Sequence, residues 1–205
     1  LDNTFVICDS GANTEATPEM LVQFAAMGSI YAKNLLGYES PRVALLNNGS
    51  EETKGTELQQ KAFELLRQTK LNFIGNCEGR DLPADFCDVV VCDGFIGNIA
   101  LKTIEGMGKL VGRVLERIFK KNPITMLGYL FTKRSTNAVR RQLDHTEYGG
   151  APFLGINGVV IKAHGSASEV GICNAVRQAM EVARSGIIDD IAQNIDKMRI
   201  EQKAE

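Results

Sequence analysis

The sequence lacks the signatures of several large enzyme classes. It contains no G-x-x-x-x-G-K-[ST] phosphate loop, no G-x-G-x-x-G dinucleotide fingerprint and no G-x-S-x-G nucleophile turn. Only two histidines are present, His145 and His164, and no two cysteines form a C-x-x-C pair. These absences argue against a P-loop enzyme and a histidine-rich metal site, so we expect neither a bound metal nor a cofactor.

Long apolar runs and a strong charge imbalance are also missing. No apolar run reaches the ~20 residues that a membrane-spanning helix requires. The net charge of −2 argues against a general nucleic-acid binder. The 205 residues, 44% of them hydrophobic, are enough for one domain with a sizeable core. Five cysteines without a pairing pattern are typical of reduced, buried thiols in a cytoplasmic protein.

Short apolar runs alternate with longer segments of helical periodicity. Strands are predicted at Phe5–Asp9, Arg42–Leu46, Leu71–Ile74, Asp88–Cys92 and Val159–Lys162. Helices are predicted at Pro18–Leu36, at Ser50–Gln68, after Asn98 as far as Lys121, at Ser166–Arg184 and at Ile187–Met198. The alternation predicts a single α/β domain over residues 1–205, with a mostly parallel sheet in a three-layer α/β/α arrangement.

A polar, glycine-containing segment follows each of the five predicted strands. Ligands of open α/β sheets bind outside the carboxyl ends of the strands, so these segments are expected at one edge of the sheet. Taken singly, each segment is also compatible with an ordinary turn. The five segments are residues 9–13, 47–50, 75–81, 93–98 and 163–166.

The turn from Asp93 to Asn98 is the strongest candidate for an anion site. It lies between an apolar strand and a helix start, where unpaired N–H groups and a partial positive charge favour anions. A lysine near the same edge would add a full charge. Lys54 is one candidate and Lys102 another, although a solvated surface lysine is the default interpretation for either.

His164 lies between an apolar strand and a predicted helix start. Ser166 and Glu169 fit the S-x-x-E capping-box pattern, so His164 could simply fill a corner beside that helix. The alternative is a functional imidazole that donates a hydrogen bond to a developing oxyanion or transfers a proton.

Residues 107–143 are predicted to form a basic helical arm with an apolar tip. The arm contains nine Lys/Arg and one acid, Glu116. Its first apolar residues repeat with helical spacing. We expect the tip to pack against a second subunit, to contact an anionic membrane surface, or to do both. The tip residues are Met126, Leu127, Tyr129, Leu130 and Phe131.

Together these motifs resemble the phosphate acyltransferase family of bacterial phospholipid synthesis. The resemblance follows nearly the whole chain in order. It is carried by Gly11-Ala12-Asn13, Lys54-Gly55, Asn72-Phe73-Ile74-Gly75-Asn76, Gly79-Arg80-Asp81, Cys92-Asp93-Gly94-Phe95 with Gly97-Asn98, Tyr148-Gly149-Gly150-Ala151 and Ile161-Lys162-Ala163-His164-Gly165-Ser166.

The resemblance implies a fold, a reaction and partners. The fold would be isopropylmalate-dehydrogenase-like and the protein a homodimer. The reaction would convert acyl-(acyl carrier protein) and inorganic phosphate to acyl phosphate and free carrier protein. The implied location is the cytoplasm, peripherally at the inner face of the membrane, where a membrane glycerol-phosphate acyltransferase would take the product. No nucleic acid is an expected partner.

That reaction gives the candidate residues their roles. Phosphate would be held by Asn13, Lys54, Gly97 and Asn98, and the catalytic residues would be Lys54, His164 and Asp93. His164 is the candidate oxyanion donor or acid, and Asp93 would orient a donor. Supporting or substrate-path roles would fall to Asn76, Glu78, Arg80, Asp81 and Ser166.

One further expectation comes from comparing the sequence with that family. Family members carry an additional N-terminal portion, so the chain by itself is expected to be incomplete as a catalyst. Two other functions stay open from the residues alone. One is a nicotinamide-dependent decarboxylating dehydrogenase on the same fold, and the other is a non-catalytic membrane scaffold.

Overall fold

The computed structural model describes residues 4–142, 149–165 and 167–195. These residues cluster into two compact units. The sheet unit falls within Asp2–Ala100, Phe153–Val159 and Met180–Glu205, and the arm unit within Leu101–Pro152 and Val160–Ala179. This division does not test the prediction of a single α/β domain over residues 1–205, which stays a prediction.

The sheet unit is built on four parallel strands. They are β1 (Val6–Cys8), β2 (Val43–Leu46), β3 (Phe73–Cys77) and β4 (Val89–Val91), in the spatial order β1-β4-β2-β3. Val89 pairs with both Val6 and Val43, so β4 occupies a central position. All residues of β2 and β4 are buried, as expected for parallel strands covered on both faces. The predicted mostly parallel α/β sheet is therefore confirmed.

Helix α1 (Pro18–Leu36) covers one face of this sheet. Thr17 caps it by accepting a hydrogen bond from the Met20 amide, Pro18 occupies the first turn, and Gly37 ends it in the left-handed conformation. A Cβ at Gly28 would lie 2.7 Å from Val89, so a glycine permits this close approach of helix to strand. The predicted bounds of α1 are confirmed.

The other face of the sheet carries a second core. Ala44, Val90 and Cys92 pack there with residues of the segment between β3 and β4 and with Ile96 and Ala100. The last two residues belong to the start of helix α3 (Gly94–Phe119). Helix α2 (Glu57–Arg67) contacts α1 and β3, and helix α6 (Ile187–Ile195) contacts α1.

Near the amino ends of β2 and β4, Arg42 and Asp88 join the two strands. The Asp88 carboxylate accepts hydrogen bonds from the Arg42 amide at 2.7 Å, from Nε at 3.1 Å and from Nη2 at 2.8 Å. Burial alone would raise the pKa of Asp88, but these hydrogen bonds outweigh it and hold the pKa below its ordinary value. The pair fixes the strand ends opposite the predicted ligand edge.

The arm unit contains two long helices and a small sheet. Beyond Ala100, α3 continues to Phe119, and α4 (Pro123–Gln142) follows after a short loop. Strands β5 (Gly150–Pro152) and β6 (Ile161–Ala163) pair antiparallel in a separate two-stranded sheet. Helix α5 (Glu169–Arg184) begins in this unit.

Four predicted boundaries are wrong. Helix α5 begins at Glu169 rather than Ser166, and the Gly171 amide in its first turn donates to Ser168 Oγ at 3.3 Å. The second helix begins at Glu57 rather than Ser50, because Thr56 and Gln59 form the capping arrangement and Gly55 has a φ of +90°. The third strand is Phe73–Cys77, later than predicted. Helix α3 begins at Gly94, so the predicted Gly97-Asn98 turn is its first turn.

The late strand also differs from its prediction. It is β6, Ile161–Ala163, and it pairs antiparallel with β5 instead of joining the parallel sheet. The segment at His164 therefore does not follow a strand of the four-stranded sheet. The expectation that it shares an edge with the other four segments through sheet topology is wrong.

Candidate functional site at the carboxyl edge of the sheet

The loop after β1 is organised around the carboxylate of Asp9. Oδ1 accepts hydrogen bonds from the Gly11 and Ala12 amides, both at 2.9 Å. Oδ2 accepts from the Asn13 amide at 2.6 Å and from Asn13 Nδ2 at 3.0 Å. Burial alone would raise the pKa of Asp9, but the four hydrogen bonds outweigh it and lower the pKa. The loop is thus fixed by an ionised side chain.

The first turn of α3 lies directly against this loop. The Gly94 amide donates to the Asn13 carbonyl at 2.7 Å, and Asp93 Oδ1 accepts from the Ile96 amide at 2.8 Å. Asp93 is therefore the N-cap of α3, and it is 7% exposed. The Gly97 amide donates to the Asp93 carbonyl at 2.9 Å. Contacts within the protein thus occupy three amides of the predicted anion turn.

Gly97 has a packing reason to be glycine. A Cβ at this position would lie 1.9 Å from the Asp9 carbonyl oxygen, a distance that no side chain tolerates. Asn98, one residue further, is exposed, and its side chain lies 3.6 to 3.8 Å from the Cβ position of Gly11. Phosphate contact at this turn stays a prediction, and Asn98 presents the more accessible polar group.

Lys54 lies in the loop after β2, before α2 begins. Its side chain is 47% exposed, and Nζ lies 3.9 Å from Glu51 Oε1. A Cβ at Gly49 would lie 2.7 Å from Lys54 Cγ, so the aliphatic part of the lysine packs on glycine backbone. Lys102, the alternative lysine, is on α3 and pairs with Glu105 at 3.1 Å.

The segment after β3 contributes one buried amide and an ion-pair cluster. Asn76 is 3% exposed, and its Nδ2 donates to the Glu51 carbonyl at 2.8 Å. Arg80 contacts Glu78 at 2.8 Å and Asp81 at 4.0 Å, while Asp81 Oδ2 accepts from the Glu78 amide. Arg80 is 76% exposed, so these pairs contribute little to stability.

The remaining predicted residues belong to the arm unit or lie outside the described residues. His164 is an exposed residue of the arm unit, and its carbonyl accepts a hydrogen bond from the Ala167 amide at 2.9 Å. Ser166 lies outside the described residues. The predicted tip residues Met126, Leu127, Leu130 and Phe131 are exposed on α4. The Tyr129 ring contacts the Phe119 ring in a tilted arrangement, with the ring centroids 5.1 Å apart.

The structure therefore joins two groups of predicted residues. Asn13, Asp93 and Gly97 meet through the Asp9 loop, and Asn76 contacts the loop that carries Lys54. Sequence reasoning gave no role to Asp9 and Asn47, which organise these loops. The available signal was an Asp or Asn directly after a predicted strand, since such side chains often bind nearby backbone amides.

Two negative findings apply to the described residues. Among residues 4–142, 149–165 and 167–195, no group of three or more His, Cys, Asp or Glu could hold a metal ion. Within the same ranges, no helix combines the length and apolarity needed to cross a membrane.

Comparison with known proteins gives the family. A family model described as fatty acid synthesis protein matches residues 2–190. The chain belongs to this family. The resemblance inferred from its motifs is thereby confirmed, because curated relatives named phosphate acyltransferase are among the matches.

Three relatives illustrate the match to this family. The phosphate acyltransferase of Thermoanaerobacter pseudethanolicus is 45% identical over 198 residues, which is 97% of this chain and 60% of the relative. That of Desulfitobacterium hafniense is 45% identical over 204 residues, 99% of this chain and 61% of the relative. That of Pelobacter propionicus is 45% identical over 196 residues, 96% and 57% respectively. The chain thus spans about 60% of the length of these relatives.

Proposed function

We propose that the protein transfers an acyl group from acyl-(acyl carrier protein) to inorganic phosphate, giving acyl phosphate and free carrier protein for phospholipid synthesis. The observation that carries the proposal is the match to phosphate acyltransferases over nearly the whole chain. An isopropylmalate-dehydrogenase-like three-layer fold is part of the same proposal. The parallel sheet with helices on one face and a second core on the other supports it.

The proposed chemistry needs no nucleophile from the enzyme. A phosphate oxygen attacks the thioester carbonyl carbon, the carbonyl oxygen becomes an oxyanion, and the C–S bond then breaks. The leaving thiolate takes up a proton as carrier thiol. The enzyme has to hold phosphate against the thioester, which alone contributes ~7–11 kcal/mol. It also has to stabilise the oxyanion, which adds about 3–4 kcal/mol.

The described residues supply groups for these tasks. Lys54 offers a half-exposed ammonium group for the phosphate, and Asn98 and Asn13 offer side chains beside the first turn of α3. Asp93 orients this turn as its N-cap. His164 is the proposed oxyanion donor or acid, and Ser166, which lies outside the described residues, is proposed to support it. Glu78, Arg80 and Asp81 are proposed to line the substrate path.

The test is phosphate-dependent cleavage of an acyl carrier protein thioester without any added cofactor. Carrier thiol release is followed with and without inorganic phosphate. Because the chain spans about 60% of its relatives, the assay is run on the chain alone and on the chain mixed with the unmatched part of the T. pseudethanolicus relative. We expect thiol release only when phosphate is present, in at least one of the two samples. Cleavage that requires a nicotinamide, or none in either sample, would contradict the proposal.

The basic arm is proposed to serve both a homodimer interface and a membrane surface. Leu130 is 64% exposed and Phe131 is 83% exposed on α4, and such large apolar side chains in a cluster mark an interaction surface. Lysines and arginines on α3 and α4 flank these apolar residues. An acyl phosphate product is amphiphilic, so release at a membrane would deliver it to a membrane acyltransferase.

Leu130→Glu should reduce binding to anionic vesicles by at least about tenfold, because burying one large apolar side chain contributes ~1.5–3 kcal/mol. Cosedimentation with vesicles measures the effect. Thr132→Glu is the matched control, since it adds the same charge to the same helix about half a turn away. If Leu130→Glu keeps its vesicle binding but loses its dimer, the apolar tip is a subunit interface and the membrane proposal is wrong.

A further inference from the structure

The loop that carries Lys54 is held in shape by side-chain amides from three different places in the chain: the end of β2, strand β3 and helix α2. Each amide donates to a backbone carbonyl of residues 51–55, and none of them contacts the Lys54 ammonium. The carbonyls involved are those of Glu51, Thr53, Lys54 and Gly55. We call Asn47, Asn76 and Gln60 the amide clamp.

Asn47 binds Lys54 most directly. It follows β2, and its Nδ2 donates to the Lys54 carbonyl at 3.1 Å, while its Oδ1 accepts from the Asn48 amide at 2.8 Å. A Cβ at Gly55 would lie 2.7 Å from Asn47 Oδ1. Glycine at position 55, with its φ of +90°, therefore makes room for this side chain.

Asn76 holds the other end of the same turn. Its Nδ2 donates at 2.8 Å to the Glu51 carbonyl, which also accepts from the Lys54 amide at 3.1 Å. The lysine is thus fixed on both sides, through its own amide and its own carbonyl. Gln60 on α2 adds bonds to the carbonyls of Thr53 at 2.8 Å and Gly55 at 3.3 Å.

Burying the Asn76 side chain destabilises the fold, and its one hydrogen bond, to the Glu51 carbonyl, does not fully offset this. It is 3% exposed, and its Oδ1 has no hydrogen-bond partner among the described residues. A buried polar atom without a partner destabilises the fold. Leucine, of similar size, would avoid that cost, so stability alone gives little reason for asparagine at this position.

We propose that Asn47 and Asn76 are positioning residues for Lys54. They fix the backbone of the lysine so that its ammonium group meets the phosphate in one geometry. The inference rests on the proposed acyl transfer to phosphate. It adds to that function two residues that touch no substrate and act through Lys54.

The test compares Asn47→Ala and Asn76→Leu with Asn72→Ala. Asn72 is the matched control, because its Nδ2 also donates to a loop carbonyl, that of Ser40 at 3.1 Å, but at the other end of β3. A misplacement of about 1 Å can cost on the order of 100-fold in rate. We expect kcat to fall roughly 10- to 100-fold in the two clamp variants, with the KM for the acyl donor within about twofold of the parent. Asn72→Ala should leave kcat within about twofold.

Hydrogen exchange of residues 50–55 gives a second readout that does not depend on turnover. Both clamp variants should lose protection in this segment, and Asn72→Ala should retain it. Lost protection with unchanged kcat would show that the clamp does not position a reacting group. Unchanged protection would show that there is no clamp. If the parent has no phosphate-dependent turnover, the proposed function fails, while the exchange data still test the clamp.

A purely structural role predicts another pattern. In that case the melting temperatures of the clamp variants would fall, and their kcat at temperatures well below the melting transition would equal that of the parent. We expect instead that Asn76→Leu melts within about 3 °C of the parent and stays slow at every temperature below the transition. A variant with a lower melting temperature but a parental kcat at temperatures well below the melting transition would overturn the proposal.

Discussion

Replacing Lys54 with methionine is expected to reduce phosphate-dependent acyl transfer about 1,000-fold, because the variant loses the charge that faces phosphate and the transition state. The fold should be unaffected. The side chain is half exposed, and its one ion pair among the described residues, to Glu51, is 3.9 Å long. Methionine keeps the aliphatic contact with Gly49. The melting temperature should therefore change by about 2 °C or less.

Lys102→Met is the control for this experiment. Lys102 was the alternative phosphate lysine, and it is an exposed residue of α3 paired with Glu105. The variant should keep near-parental kcat and KM for phosphate. A large loss of activity in Lys102→Met, with little loss in Lys54→Met, would reverse the assignment of the phosphate lysine. A lower melting temperature without lower activity in Lys54→Met would make Lys54 a structural residue.

Replacing Gly97 with alanine is expected to destabilise the fold by about 3 kcal/mol or more. The added Cβ would lie 1.9 Å from the Asp9 carbonyl oxygen and 2.9 Å from Cys92 Sγ. The backbone atom cannot move aside without disturbing the loop that the Asp9 carboxylate holds. Denaturant unfolding, followed by circular dichroism, measures the loss.

Gly106→Ala on the same helix is the matched control. Apart from the backbone of its own helix, no described residue lies within 4 Å of its Cβ position, so alanine should stabilise the helix by about 0.5–1 kcal/mol. A Gly97→Ala variant as stable as its parent would show that α3 and the Asp9 loop are not closely packed. A stable variant with a raised KM for phosphate alone would instead restore Gly97 as a specific phosphate contact.

Local signals made part of the fold predictable. Helix α1 was predicted at both ends, because Thr17, Pro18 and Gly37 each act within a few residues of the boundary. The start of α2 was missed although its signal was present. Ser50 with Glu51 and Glu52 resembles a helix start, but Gly55 interrupts it and the pair Thr56 and Gln59 forms the actual cap.

Pairing between distant strands was the part that the sequence could not decide. The run at Val159–Lys162 resembles any short buried strand, so it was placed in the parallel sheet. Its actual partner is Gly150–Pro152, which has little strand propensity because of its glycine and proline. The expectation that the His164 segment follows a strand of the parallel sheet depended on this pairing and is therefore wrong.

The candidate site was predictable where it follows from topology. Loops at the carboxyl ends of neighbouring parallel strands must lie near one another, and so the Asp9, Lys54, Asn76 and Asp93 segments share an edge. Tertiary packing decides which amide group donates a hydrogen bond to which oxygen atom. The Asp9 carboxylate and the Asn47 amide therefore became visible only in the structure.

The most direct test of the central claim is to identify the product. The protein is incubated with an acyl carrier protein thioester and ¹⁸O-labelled inorganic phosphate, and the products are analysed by mass spectrometry alongside the Lys54→Met variant. Acyl transfer predicts acyl phosphate that carries the label, in an amount equal to the thiol released, and almost none from the variant. Free fatty acid formed at the same rate with or without phosphate, in the parent and the variant alike, would contradict the account.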